Sequence, residues 1–182
     1  MRVRLALLAM PLAMSIAMPL AMSTTLPACA QEFHAAAFGA ATPDRPVCFA
    51  RVYDAAHLAA HPRQRIADVA IRLVLRKSDG ALRLDHTLAV HFKGSRQLYW
   101  SGGSCSEFKG LAAECYVEGD GGHATLSLSA DGQTLTARFD KLNVWRPQDA
   151  ADETNMQIDR GPDDKIARLA RASLSACKAA GD

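Results

Sequence analysis

Asp54, His57 and His61 are the first residues whose types and spacing could do chemistry. On a helix, positions three, four and seven apart share a face. Two imidazoles four residues apart, with a carboxylate one turn before them, can chelate a divalent ion. The same pattern also serves as a capping aspartate followed by two surface histidines. Pro62 biases His61 out of helical geometry. Asp54, His57 and His61 are the candidate metal ligands. His86 follows, in the apolar register of Leu84 and Leu88, so it is expected to point into a core. An inward imidazole titrating near neutrality can bind a ligand or act as a base, or it can be satisfied by its neighbours. Tyr99 and Trp145 are large aromatics in a chain with 6% aromatic residues. Exposed, either could stack on a sugar or anchor a partner. His86, Tyr99 and Trp145 are the candidate binding residues.

No catalytic residue is assigned. Ser101-Gly102-Gly103-Ser104-Cys105 lacks the Gly-x-Ser-x-Gly of a nucleophile elbow. It also lacks the Gly-Lys-Ser/Thr ending of a phosphate loop. Glu107, Glu114 and Glu118 are scattered, and whether any two meet at glycosidase distance is a matter for the fold. Asp149, Asp152, Glu153 and Asp159 lack the ordered ligand spacing of a calcium loop and read as a solvated linker. No cofactor is expected.

Such groups need a scaffold, and the composition bounds it. The chain has 182 residues, 49% apolar and 22% charged, an ordinary globular balance. Arg2 and Arg4 are the only charges in residues 1–30, and residues 5–22 are nearly all Leu, Ala, Met and Ile. With Ala28-Cys29-Ala30 after them, residues 1–30 read as a signal peptide. The remaining 152 residues carry 19 basic and 19 acidic side chains. A neutral domain lacks the clustered cations that nucleic acid binding needs. With the leader removed, no membrane span is expected. Leu26-Pro27-Ala28-Cys29 resembles a bacterial lipobox, with Pro27 departing from the usual small or branched residue. That resemblance implies lipidation at Cys29 and an anchored envelope protein as the alternative.

Four cysteines remain: Cys48, Cys105, Cys115 and Cys177. An even number in an exported chain implies two disulfides, with three connectivities open. Cys105–Cys115 with Cys48–Cys177 is favoured, because the first pair flanks a short Gly- and Ser-containing stretch and the second would tie the first strand to the last helix. No pair has the Cys-x-x-Cys spacing of a redox or zinc motif.

Residues 31–45 read as a loose N-terminal arm, and 46–182 as a single domain. From Val47 onward, apolar residues alternate with polar ones. Val69, Ile71, Leu73 and Leu75 form one such run, and Leu82, Leu84, Leu88, Val90 and Phe92 another. A period of two means strands with one buried face. Asp79-Gly80, Asp131-Gly132 and Gly119-Asp120-Gly121-Gly122 supply turns between the runs. The fold class is therefore mainly β: an antiparallel meander of about seven or eight strands in a small barrel or sandwich. A short helix is expected near 54–61, capped by Asp54. A C-terminal helix is expected near 162–179, from Pro162 and the spacing of Ile166, Leu169, Leu174 and Cys177.

The function expected from these features is an exported, periplasmic or secreted, non-catalytic binding module. Its partner would be an envelope protein or a small ligand, with no nucleic acid. A hydrolase built on a His–carboxylate site and a periplasmic divalent-metal binder are the alternatives.

Overall fold

Asp79 (φ 51°) and Gly80 (φ 81°) both take left-handed conformations. A two-residue hairpin turn needs this if its twist is to match the flanking strands. The turn fixes a register. Ser78 pairs with Ala81, so Leu75 faces Leu84, Leu73 faces His86 and Ile71 faces Leu88. All six side chains are buried. The computed structural model describes residues 28–40, 43–146 and 156–180, and in it this hairpin is the longest part of a closed barrel. The barrel strands are β1 (Val47–Val52), β2 (Ile66–Ser78), β3 (Ala81–Phe92), β4 (Leu98–Lys109), β5 (Ala112–Val117), β6 (His123–Leu128) and β7 (Thr134–Asp140). Two short strands, β8 (Asn143–Val144) and β9 (Met156–Gln157), pair separately, and β10 (Ile166–Ala172) is the eighth barrel strand. β2 to β7 form a meander, and β10 closes it by pairing antiparallel with both β7 and β1. Closure leaves no unpaired edge. The architecture is thus a barrel, not a sandwich.

The interior is filled. Phe49, Ile71, Leu73, Leu84, Leu88, Leu126, Leu135 and Leu169 are fully buried, each stabilising the fold by about 1.5–3 kcal/mol. One mouth is plugged by helix α1 (Ala28–Phe38), whose Phe33 packs 5.7 Å from the Phe108 ring. At Gly132 (φ 66°), in the turn between β6 and β7, a Cβ would collide with the Ala36 carbonyl. That turn must lack a side chain for α1 to dock. The opposite mouth carries helix α2 (Ala55–Ala60), between β1 and β2, and the buried side chains of Leu142, Val144 and Ile158. Among the described residues, no helix is long and apolar enough to cross a membrane.

Two expectations are corrected. In place of a loose arm over 31–45, α1 occupies residues up to Phe38, and Phe33 and Ala37 are wholly buried. The alanine run supplies helix propensity, and the aromatic contacts anchor it. In place of a C-terminal helix over 162–179, residues 166–172 are β10 and Leu174–Ala180 form a 3-10 helix. Helical spacing and strand alternation overlap here, because Ala167 and Leu169 also satisfy a period of two and are the residues buried. As a strand, the segment gains hydrogen-bonded ladders on both sides, which an isolated helix cannot match. Residues 1–27 of the expected signal peptide (1–30) and residues 147–155 of the expected acidic linker lie outside the described residues, as does the Cys29 side chain.

Asp164 does not serve a helix start. It is buried, and its carboxylate accepts from the Arg65 N–H (2.9 and 3.0 Å) and the Ile66 N–H (3.1 Å). Burial pushes its pKa up, while the two backbone donors pull it down. Asp164→Ala strands two donors at the start of β2. It is expected to destabilise the protein by about 2 kcal/mol, read as a lower urea midpoint with unchanged slope.

Candidate functional site

The Cys48–Cys177 and Cys105–Cys115 disulfides are both formed, with Cα separations of 5.9 and 3.9 Å. Cys105 and Cys115 are direct cross-strand partners on β4 and β5, inside the barrel. Cys48 points outward, and its bond to Cys177 holds the C-terminal 3-10 helix against the outer wall beside Ala70.

Asp54 caps α2 as expected, its Oδ1 accepting from the His57 N–H at 2.7 Å. The ring of His57 is sandwiched between Tyr53 (4.8 Å) and His61 (4.4 Å), and its Nε2 lies 3.0 Å from Gln64 Oε1. Asp54, His57 and His61 therefore do not converge on a common point. Among the described residues, the ligand atoms of His86, Cys105 and Cys115 are the ones gathered within 4.8 Å of one another.

His86 faces inward, as the alternation requires. Burial lowers its pKa to about 4, against a smaller opposing pull from Asp85. Its Nδ1 lies 3.8 Å from Cys105 Sγ, and its Nε2 has no partner. Tyr99 is half-buried, its ring edge-on to Phe92 at 5.2 Å. Trp145 packs against the core, and its backbone exchanges two 2.8 Å hydrogen bonds with Trp100. His86 pairs with Gly103, four residues along β4 from Tyr99, or about 13 Å at a strand's rise. His86, Tyr99 and Trp145 do not form one site.

A hollow lies on the outside of the wall. Its position follows from the register. The outward row Arg72–Thr87–Gly102 crosses β2, β3 and β4, the next row is Val74–Asp85–Ser104, and the next begins Arg76–Arg83. Short side chains at Thr87, Gly102 and Ser104 leave a groove of about 340 Å³. Arginines rim one side, and Glu118 lies on the other. Trp100 is 39% exposed at its edge, with Cζ3 3.6 Å from where a Gly102 Cβ would sit. Arg76 and Arg83 are directly opposed, which alone would be repulsive. Asp85 lies between them, 3.2 Å from Arg76 Nε and 2.8 Å from Arg83 Nε. That hydrogen bond and charge hold the Arg83 guanidinium firmly protonated.

The arrangement can hold an anion through oriented guanidinium donors, with hydroxyls at Thr87 and Ser104. The groove carries no motif of its own in the sequence, because its residues fall in the polar half of each strand's alternation, which predicts only a solvent face. Counting outward from the Asp79-Gly80 turn would have placed Arg76 against Arg83.

A His–carboxylate pair exists elsewhere, His91 Nδ1 to Asp68 Oδ1 at 2.8 Å. The nearby Ser95 hydroxyl accepts from the Gln97 N–H. No protein-family profile matches this chain, and neither the curated protein sequences nor the solved structures give a significant match.

Proposed function

We propose that this chain is an exported, non-catalytic binding module whose working surface is the outer groove over β2, β3 and β4. Its ligand is a small molecule bearing carboxylate or phosphate groups. One observation carries the reading: three guanidinium side chains rim one side of a floor of short hydroxyl and glycine residues, with an exposed indole alongside. Arg72, Arg76 and Arg83 stand at the rim with Asp85 and Glu118, and Asp44 pairs with Arg76 at 3.6 Å, so an incoming anion would compete with these carboxylates for the guanidinium donors. A volume of 340 Å³ falls at the small end of the range for ligand sites, about 300–1,000 Å³. The filled interior argues against an apolar cargo carried inside the barrel. Two disulfides and the leader pattern support export.

The test is titration of the oxidised protein with a uronic-acid oligosaccharide and, separately, with inorganic phosphate. Tryptophan fluorescence and the amide signals of Thr87, Gly102 and Ser104 are the readouts. Saturable shifts at these positions are expected, weakening with salt. They should weaken at least about tenfold in Arg72→Glu/Arg83→Glu, a loss of about 1.4 kcal/mol of binding. No shift with either probe would defeat the proposal. Cleavage of the oligosaccharide would replace it with the hydrolase alternative.

A further inference from the structure

We infer that the inner wall of the barrel holds a redox-gated zinc site. Once a dithiol reductant opens the Cys105–Cys115 disulfide, the two thiolates and His86 Nδ1 bind a divalent thiophilic ion. This site faces the interior; His86 also borders the outer groove, whereas Cys105 and Cys115 do not line it.

The register builds it. Cys105 and Cys115 face each other across β4 and β5, and Cys105 also pairs with Leu84 on β3. His86 is two residues further along the inward row, which brings its ring diagonally onto Cys105. All three ligand atoms already lie within 4.8 Å of one another, and all three residues are buried. The 3.8 Å from Nδ1 to Cys105 Sγ matches what a metal requires. With metal–sulfur bonds of about 2.3 Å and metal–nitrogen bonds of about 2.0 Å, a tetrahedral ion separates its S and N ligands by about 3.6 Å. His86 Nε2 is buried with no hydrogen-bond partner, so no second bond holds the ring away from the sulfurs. An adjacent cross-strand pair also lets two thiolates part to the about 3.8 Å that a shared ion sets.

The chemistry balances. The dithiol donates two electrons and two protons, the S–S bond breaks, and the donor leaves as its own disulfide. Zinc then displaces both thiol protons into solvent. Two thiolates and a divalent cation leave the site formally neutral, the charge state an apolar interior accepts most readily. Three protein ligands leave a fourth position for water.

The test uses the full-length protein reduced with dithiothreitol and freed of it by anaerobic gel filtration. Zinc is added alone, with cobalt(II) as an optical probe. The reduced protein should take up a single ion, and cobalt should show thiolate charge-transfer bands. Zinc should shield Cys105 and Cys115, but not Cys48 and Cys177, from alkylation. The oxidised protein should not bind. His86→Leu should weaken zinc by about 100-fold, since even outer-shell partners are worth 10–100-fold. Absence of uptake overturns the proposal, as does uptake that persists in Cys105→Ala/Cys115→Ala. Far-UV circular dichroism of the reduced chain decides whether the barrel persists, and unfolding on reduction alone also overturns it.

Discussion

Replacing Cys48 and Cys177 by serine is expected to destabilise the oxidised protein by about 5 kcal/mol in the chain-entropy model. That is about 10–20 °C in melting temperature for a domain of this size. The reason lies in the unfolded chain. The two cysteines are 129 residues apart, so the bond closes a loop around nearly the whole barrel and removes that much freedom before folding begins. Natively, β1 already pairs with β10, and Cys48 lies opposite Ala172. The bond therefore adds few contacts of its own beyond seating the 3-10 helix against Ala70. Cys105–Cys115 spans only 10 residues, and the same model assigns it about 2.7 kcal/mol. Thermal unfolding of the two double-serine variants checks the order. A larger loss from Cys105→Ser/Cys115→Ser would show that native packing inside the wall outweighs loop entropy.

The barrel was legible because period-two alternation and turn chemistry agree over most of the chain. Asp79-Gly80 alone fixes which face of β2 and β3 is inside, and with it the inward direction of His86. Closure was not legible. Ile166 to Ala172 fits either a helix stripe or a strand. What decides it is the pair of open edges on β7 and β1, which exist only once the rest of the sheet has formed. α1 was missed for a related reason. Ala35, Ala36 and Ala37 carry no amphipathic signal of their own, and the helix is held by Phe33 and His34 meeting Phe108, contacts remote in sequence. Among the candidate site residues, Asp54 was readable as a cap. The partners of His57 were not, because Gln64 and Tyr53 reach it through the loop geometry on either side of α2. The outer groove lay within reach of sequence reasoning. It needed only hairpin register carried outward from one turn, with attention to the residues between the apolar ones.

Acidification provides the second large effect. Between pH 6.5 and 4, the oxidised, metal-free protein is expected to lose about 3 kcal/mol of folding stability through His86, and His86→Leu is expected to remove most of that slope. The ring is enclosed by the barrel, and burial holds its pKa at about 4, against about 6.5 in an unfolded chain. Above pH 6.5 the imidazole is neutral in both states and pH has no effect through it. Below 6.5 the unfolded chain takes up a proton that the folded protein refuses, so stability falls as pH falls. The loss levels off near pH 4, where the folded ring also charges, and a gap of about 2.5 units at about 1.36 kcal/mol each sets the total. His34 acts in the same direction. It is buried in α1 between Phe38 and Phe108, neither ring nitrogen has a hydrogen-bond partner, and burial lowers its pKa too. Asp164 opposes both, because its raised pKa means that the folded state binds its proton more tightly than the unfolded chain does. That partial offset falls at the acid end of the window. Urea midpoints taken at half-unit steps from pH 7.5 to 4 separate the contributions: His86→Leu should flatten the curve, and His34→Leu should reduce its slope. A His86→Leu curve parallel to that of the wild type would mean that the interior accepts a charged imidazole, and the packed barrel would have to admit water beside β3.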